Sequence, residues 1–240
     1  MTIDCCFSPA LYPFYPADNE RIVIVVDVFR ASSSICAALA AGAAAVHPLK
    51  SLEEAERAKQ RGELVGAERD TKKCSIADFG NSPSDYKAEI VAGKEVFFTS
   101  TNGTCAIELA VADSAEVLVG AFVNLSAVAD YCVASKKDVL VLCSGWRNKF
   151  NKEDTLFAGA LAEILTEKNA FQAKSDSIAA AMELWQRAKS NVRAYLDDSE
   201  HIARLVKWNL ECDIDFCLTL NKLNVVPKYD FRAQVLKKTQ

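Results

Sequence analysis

Three strongly apolar strand patterns, each ending in a polar turn, organise the hydrophobic pattern of this chain. The first, Ile22–Val26, is a continuous run of apolar, β-branched residues, and an Ala-rich helical segment follows it after a turn. Continuous runs of this kind are typical of strands covered on both faces, as in a parallel sheet between helices. The other two patterns are Glu95–Thr99 and 138–143.

Strand and helix patterns alternate along most of the chain. This alternation predicts a three-layer α/β/α fold with a mostly parallel sheet, formed by residues 1–240 as a single domain. Residues 8–20 and 70–83 lack a clear pattern, and the chain ends in a basic tail after Val225-Val226-Pro227. Helices are expected over 35–41, 51–61, 84–92, 105–112, 125–136, 155–168, 175–188, 190–197 and 199–208, with shorter strands over 2–7, 45–49, 64–65 and 116–119.

A faint internal repeat connects the first two strand–turn–helix units. A shift of the chain by seventy residues places Ser34 on Thr104 and Ala37 on Ile107. One hypothesis is an internal duplication that gives two similar α/β halves, and the alternative is chance similarity between Ala-rich helices. In either case the turns 27–34, 100–104 and 144–147 are expected to meet at one edge of the sheet, where α/β proteins bind ligands.

Composition and charge exclude several classes of function and of metal site. The 240 residues are half hydrophobic and carry a net charge of −4, which argues against a nucleic-acid surface. The N-terminus lacks a signal-peptide pattern and no segment is apolar enough to span a membrane, so we expect a cytoplasmic protein. The nine cysteines contain no C-x-x-C pair, and only two histidines are present. A multi-histidine metal site is therefore excluded, and any metal needs mainly oxygen ligands, which favours Mg²⁺ or Mn²⁺.

The first candidate site follows the strand Ile22–Val26. Asp27, Arg30, Ser32 and Ser33 lie between the strand and the helix, where free N–H groups and hydroxyls suit an anion such as phosphate. A carboxylate beside a phosphate usually holds a cation, attacks phosphorus or pairs with an arginine. The alternative is purely structural, with Asp27 and Ser32 capping the helix and Arg30 paired with Asp27.

The second candidate site is the turn after Glu95–Thr99. Its sequence is Ser100-Thr101-Asn102-Gly103-Thr104. An Asn-Gly pair permits a left-handed turn in which successive N–H groups form an anion-binding nest. The alternative is an ordinary helix start capped by Asn102.

Further polar and charged residues follow other strands or lie in loops. They are Glu68-Arg69, Asn81 in the loop Asp78-Phe79-Gly80-Asn81-Ser82-Pro83, Arg147 after the third strand, and Glu153-Asp154. The alternative for the last pair is an acidic helix start that suits the helix dipole. His201 lies in a helical context and is expected to be structural.

These motifs, in this order, resemble the 2-phosphosulfolactate phosphatase family. The resemblance rests on Asp27-Val28-Phe29-Arg30-Ala31-Ser32-Ser33, the loop 78–83, the turn 100–104, Asn124, Glu153-Asp154 with Ala158-Gly159, Asp213-Ile214 and Val225-Val226-Pro227. It implies a magnesium-dependent hydrolase that removes phosphate from 2-phospho-3-sulfolactate, a step of coenzyme M biosynthesis.

Carried onto this chain, the resemblance implies a site for a small anionic phosphorylated substrate. Asp27 and Arg30 are the catalytic candidates, and whether Asp27 is nucleophile or metal ligand stays open. Two alternatives remain, a phosphatase of broader specificity on 2-phospho acids and a non-catalytic sensor of a phosphorylated metabolite, and a homodimer is permitted but not required. The candidate phosphate and substrate ligands are Ser32, Ser33, Arg69, Asn81, Thr101, Asn102, Gly103, Thr104 and Arg147, and the Mg²⁺ candidates are Asp27, Glu68, Glu153 and Asp154.

Overall fold

A single mixed sheet forms the centre of the computed structural model, which describes residues 1–18 and 20–239. The strands are β1 Thr2–Cys6, β2 Ile22–Val26, β3 Ala45–Pro48, β4 Leu64–Arg69, β5 Lys72–Lys73, β6 Glu95–Thr99, β7 Glu116–Gly120, β8 Val139–Cys143, β9 Gln172–Ala173, β10 Pro227–Asp230 and β11 Val235–Lys238. The α-helices are α1 Ala31–Ala40, α2 Leu52–Gln60, α3 Ala88–Val91, α4 Gly103–Asp113, α5 Leu125–Ser135, α6 Lys152–Glu167, α7 Asp176–Ala188, α8 Val192–Leu196, α9 Glu200–Lys207 and α10 Glu211–Leu218. Short 3₁₀ helices cover Pro9–Phe14, Pro83–Asp85 and Phe122–Asn124.

The sheet consists of two parallel blocks joined by an antiparallel hairpin. Its order is β5-β4-β6-β3-β11-β10-β7-β2-β8-β1-β9. Strands β4, β6 and β3 form one parallel block, and β7, β2, β8, β1 and β9 form the other. The predicted three-layer fold with a mostly parallel sheet is confirmed. Because three antiparallel pairings separate β3 from β7, the two blocks run in opposite directions.

The C-terminal segment is a hairpin in the middle of the sheet, so the expectation of a basic tail is wrong. Lys228 of β10 places its ammonium 2.8 Å from a carboxylate oxygen of Glu116 and 2.8 Å from the hydroxyl of Tyr131. The Asn124 amide donates to the carbonyl of Val225 just before the hairpin. These partners compensate a charged residue in a central strand, which the local sequence pattern does not reveal.

Strand β2 shows why its apolar run is continuous. Ile22, Ile24 and Val26 belong to the core that includes α5, α6 and α7 on one face of the sheet. Val23 and Val25 belong to the core that includes α1 and α4 on the opposite face. Since both faces are covered, every position of the strand is buried and favours a β-branched side chain.

The two units proposed as a duplication are interleaved in the sheet. In β2–α1–β3 and β6–α4–β7, the first strand of each unit pairs with the last strand of the other. The pairings β2–β7 and β3–β6 are both parallel. The duplication itself stays a hypothesis. No helix in the described ranges is both long and apolar enough to cross a membrane.

Two of the three expected turns share one edge of the sheet. The N–H of Ser144, after β8, donates to the carbonyl of Val26 at 2.8 Å, beside Asp27. The turn 100–104 follows β6 in the oppositely running block, but it meets the other two turns as expected, because Gly103 packs on Asp27 and Asn102 accepts the N–H of Arg147. It still reaches Asp27, because α4 packs against β2 as well as β6.

Candidate active site

The loop after β2 is fixed by a reciprocal pair of hydrogen bonds. The N–H of Asp27 donates to the Ser32 hydroxyl at 2.8 Å, and the N–H of Ser32 donates to the carbonyl of Asp27 at 3.0 Å. Ser33 donates through its hydroxyl to the carbonyl of Val28 at 2.9 Å. Both predicted phosphate ligands, Ser32 and Ser33, therefore use their hydroxyls to hold the loop that presents Asp27.

Arg30 is buried and does not pair with Asp27, which corrects the structural alternative. Its guanidinium lies 2.6 Å from a carboxylate oxygen of Asp213, which lies in α10, and also donates to the carbonyl of Thr71 at 2.8 Å. Asp213 and Thr71 occupy two of the five N–H groups of the guanidinium. The side chain therefore lines the cleft with donor capacity left for a ligand.

A narrow inner cleft gathers residues from distant parts of the chain. The structure brings together predicted residues that are separated by up to 75 positions, from Asp27 to Asn102, and adds four that sequence reasoning did not propose as site residues. The lining residues are the predicted Asp27, Arg30, Glu68, Asn81 and Asn102, and in addition Phe29, Thr71, Trp146 and His201.

Glu68 is oriented by the backbone and by Thr101. Its carboxylate accepts hydrogen bonds from the N–H of Thr71 and from the N–H of Thr101. The Thr101 hydroxyl donates to the same carboxylate at 3.1 Å. Thr101, a predicted substrate ligand, therefore positions Glu68 at the cleft.

The turn 100–104 is not an anion nest. Neither Asn102 nor Gly103 has a positive φ, and α4 begins at Gly103. The Asn102 side-chain oxygen accepts the N–H of Arg147 at 3.0 Å, so it does not cap the helix either. Thr104 exchanges hydrogen bonds with Ser100. The turn instead binds together the walls of the cleft.

The two other predicted arginines lie outside the inner cleft. Arg69 donates to the carbonyl of Glu68 at 2.6 Å and to the Thr99 hydroxyl at 2.9 Å. Arg147 is exposed and forms an ion pair with Asp70 at 2.6 Å. Arg147 contributes to a second, outer cavity of about 450 Å³ that adjoins the cleft at Trp146 and His201.

The acidic pair at the start of α6 lies behind the cleft. Asp154 accepts hydrogen bonds from the N–H of Val28 at 2.8 Å and of Gly145 at 3.1 Å, so it ties the ends of β2 and β8 together. Glu153 accepts from Nδ1 of His201 at 2.6 Å. The two predicted metal ligands Glu153 and Asp154 thus have partners within the protein and do not line the inner cleft.

Negative charge in the cleft is poorly compensated. Burial and the neighbouring Asp154 carboxylate raise the pKa of Asp27, and burial and Glu153 raise the pKa of Asp154. Within residues 1–18 and 20–239, no donor reaches the carboxylate of Asp27. The side-chain oxygen of Asn81 is buried and has no hydrogen-bond partner among the described residues. An unpartnered amide oxygen in the same cleft as a buried carboxylate without a hydrogen-bond donor is a donor set that fits a hard cation.

This donor set is small. Among the residues that the structure describes, no group of three or more His, Cys, Asp or Glu side chains is arranged to hold a metal ion. Mg²⁺ commonly binds through one or two carboxylates, with water and substrate phosphate completing its shell. Asp27 and Glu68 meet that requirement without Glu153 or Asp154.

His201 is part of the site, so its expected structural role is incomplete. Its ring is oriented by Glu153, and the same side chain lines the inner cleft. The available signal was its position on the buried stripe of α9 with Ile202 and Leu205. A polar ring on that stripe needs a buried partner, but the sequence alone does not show that the partner is Glu153.

Gly103 sets the position of Asp27 through close contact. A methyl group on Gly103 would lie 2.8 Å from Oδ2 of Asp27 and 2.6 Å from Cβ of Ala31. We expect Gly103→Ala to displace Asp27 and lower kcat by about 100-fold, since small misplacements at a reacting centre cost that much. Activity assays compare it with Cys105→Ala at an exposed position of α4. Equal activity of the two variants would contradict this role.

Comparison with known proteins gives one consistent family. A family model described as 2-phosphosulpholactate phosphatase matches residues 6–231. A relative from Thermotoga petrophila is 37% identical over 86% of this chain and 88% of its own length. One from Caldanaerobacter subterraneus is 38% identical over 88% of each chain, and one from Carboxydothermus hydrogenoformans 38% over 90% of each. All three carry the name "Probable 2-phosphosulfolactate phosphatase".

Proposed function

Because the chain belongs to the 2-phosphosulfolactate phosphatase family, a family of phosphoric monoester hydrolases, we propose that it hydrolyses 2-phospho-3-sulfolactate to 3-sulfolactate and phosphate with Mg²⁺. The observation that carries this proposal is the inner cleft, which combines the uncompensated carboxylate of Asp27 with the guanidinium of Arg30. Both charges are needed to bind a metal-associated phosphoryl group.

We assign the metal to Asp27, Glu68 and the side-chain oxygen of Asn81. All three line the inner cleft, and all three offer the oxygen ligands that Mg²⁺ prefers. Residues Asp27, Glu68 and Asn81 would hold Mg²⁺ there, and its chemistry would be to neutralise charge on the phosphoryl oxygens. Glu153 and Asp154 support this site from behind, through His201 and through the ends of β2 and β8.

Arg30 supplies a positively charged side chain to the phosphoryl group that is transferred. Its guanidinium, immobilised by Asp213 and Thr71, binds the phosphoryl oxygens through its remaining N–H groups. Asp27 either attacks phosphorus or holds the metal for attack by water. Its fixed loop and its freedom from hydrogen-bond donors suit both roles.

We assign proton donation to His201. Glu153 accepts the Nδ1–H, so in the imidazolium form the Nε2–H is free to pass its proton to the departing alkoxide, which leaves the neutral ring bonded to Glu153. His201→Asn is expected to lower kcat for phosphosulfolactate about 100- to 1,000-fold. The loss for 4-nitrophenyl phosphate is expected to be under about 10-fold, because its leaving group departs without a proton. The control is His47→Asn, at the other histidine, and equal losses for both substrates would refute the assignment.

The carboxylate pair predicts how Mg²⁺ and pH act on stability. The folded protein holds protons on the Asp27–Asp154 pair that the unfolded chain has lost, because burial and neighbouring carboxylates raise the pKa of both carboxyls well above the usual range. The metal-free protein therefore loses stability as pH rises above the usual carboxyl pKa towards the raised pKa of the pair. Since Mg²⁺ needs deprotonated ligands, it is expected to raise Tm by several degrees at about pH 8 and by much less at about pH 5. A larger Tm increase at the lower pH would contradict the assignment.

Phosphate release tests the function itself. Purified protein with Mg²⁺ is expected to release phosphate from 2-phosphosulfolactate, and a chelator is expected to abolish the release. A sensor of a phosphorylated metabolite would bind and release nothing. A phosphatase of broader specificity would turn over 2-phospholactate and phosphoglycolate with the same kcat/KM as phosphosulfolactate.

A further inference from the structure

The inner cleft is too small to enclose the proposed substrate. Its volume is about 10 Å³, which is room for about one water molecule. The adjoining outer cavity measures about 450 Å³, within the usual range for ligand sites. Trp146 and His201 line both spaces, so a ligand with its phosphoryl end at the cleft extends past these two rings into the outer cavity.

Among the described residues, no carboxylate lies at hydrogen-bond distance from Arg204, one of the basic residues of the outer cavity. The guanidinium of Arg204 lies 3.9 Å from the ring centroid of Trp146, so it is stacked on a cavity wall. Its Nε is buried and has no hydrogen-bond partner in the part of the chain that the structure describes. The nearest carboxylate oxygen, from the highly exposed Glu200, lies 3.9 Å from Nη1.

The other basic residues of this cavity are either ion-paired or exposed at its rim. Lys152 forms an ion pair with Asp198 at 2.7 Å, and Arg147 forms one with Asp70. Lys149 is exposed at the rim of the cavity. Arg204 alone combines a fixed, planar guanidinium with a buried N–H that lacks an acceptor, which is a geometry suited to an oxyanion.

The chemistry of the substrate decides which oxyanion reaches Arg204. In 2-phosphosulfolactate, C1 is the carboxylate carbon, C2 carries the phosphate ester and C3 carries the sulfonate. When the phosphoryl group lies at Asp27 and Arg30, the sulfonate on C3 is the anionic group that extends away from the ester. We propose, on the basis of the proposed function, that Arg204 stacked on Trp146 binds this sulfonate and makes the enzyme selective for it.

The test compares two substrates that differ only in the sulfonate. For Arg204→Gln, kcat/KM for 2-phosphosulfolactate is expected to fall about 10- to 100-fold through KM, the usual cost of losing charge-assisted hydrogen bonds. For 2-phospholactate, which carries a methyl group instead, kcat/KM is expected to change less than about 3-fold. Arg204→Lys, which keeps the charge but loses the planar fork, is expected to recover only part of the selectivity.

The matched control is Lys207→Gln, which removes one positive charge from the exposed end of the same helix, outside the cavity. It is expected to leave both substrates unaffected. Equal losses for the two substrates in Arg204→Gln, or the same selective loss in Lys207→Gln, would overturn the role of Arg204 while leaving the proposed function intact. Absence of any turnover of 2-phosphosulfolactate by the unmodified protein would instead overturn the proposed function, and the sulfonate assignment with it.

Discussion

Asp27→Asn is expected to lower kcat/KM for the proposed substrate by about 1,000-fold or more, because it removes the carboxylate that acts as nucleophile or metal ligand. The same change is expected to leave folding intact. The Asp27 carboxylate is buried, receives no hydrogen bond from the described part of the chain and lies near Asp154, so its neutralisation relieves repulsion. In the absence of Mg²⁺, the Tm of Asp27→Asn at about pH 8 should therefore equal or exceed that of the unmodified protein.

Steady-state kinetics and thermal unfolding check both halves of this expectation. The control is Asp113→Asn, an exposed position at the end of α4, which should change neither quantity. Near-normal turnover by Asp27→Asn with Mg²⁺ present would refute the role of Asp27. A large fall in Tm would show that the carboxylate is structural.

Arg30→Gln is expected to damage both stability and activity. It leaves the carboxylate of Asp213 buried without its ionic partner, which typically costs about 3–5 kcal/mol of unfolding free energy. It also removes the guanidinium from the cleft, and loss of one such stabilising group lowers kcat about 100- to 1,000-fold.

The double variant Arg30→Gln/Asp213→Asn separates these two effects. Removal of both charges is expected to restore most of the stability, because no unpaired ion remains buried. Activity should stay low, since the phosphoryl group still lacks its cation. Denaturant unfolding and phosphate-release assays of the two variants measure this difference. Recovery of activity together with stability would show that Arg30 serves only the fold.

The local pattern was sufficient for the strands β1 to β4 and β6 to β8 and for the loop after β2. Hydrophobic periodicity reports burial directly, so Ile22–Val26 and the helices α5 to α7 were predicted close to their observed bounds. Charged side chains after a buried strand also mark a site locally. Asp27 and Arg30 were therefore identified, although the partner of Arg30 was not, because Asp213 is 183 residues away.

Long-range pairing decided the rest. The C-terminal hairpin was missed because its lysines look solvent-exposed until Glu116 and Tyr131 compensate Lys228. The opposite direction of the two sheet blocks follows from the antiparallel pairing within this hairpin and from its antiparallel pairing with β7 and β3. His201 looked structural until α9 was placed against Glu153. The anion nest was wrongly predicted because Asn-Gly permits a positive φ without requiring one, and close packing of Gly103 on Asp27 and Ala31 supplies another reason for the glycine.

The sequence by itself therefore determined the α/β class, the family and the strand end that carries Asp27 and Arg30. Burial periodicity and turn-forming residues are local features, which a short stretch of sequence contains. Only the tertiary structure decided which side chains line the cleft and which hold it from behind. The hydroxyls of Ser32 and Ser33 turned out to be bonded to backbone, and the carboxylates of Glu153 and Asp154 to His201 and to backbone N–H groups. The role of each side chain depends on its hydrogen-bond partner, and for Glu153 and Asp154 that partner comes from a distant segment of the chain.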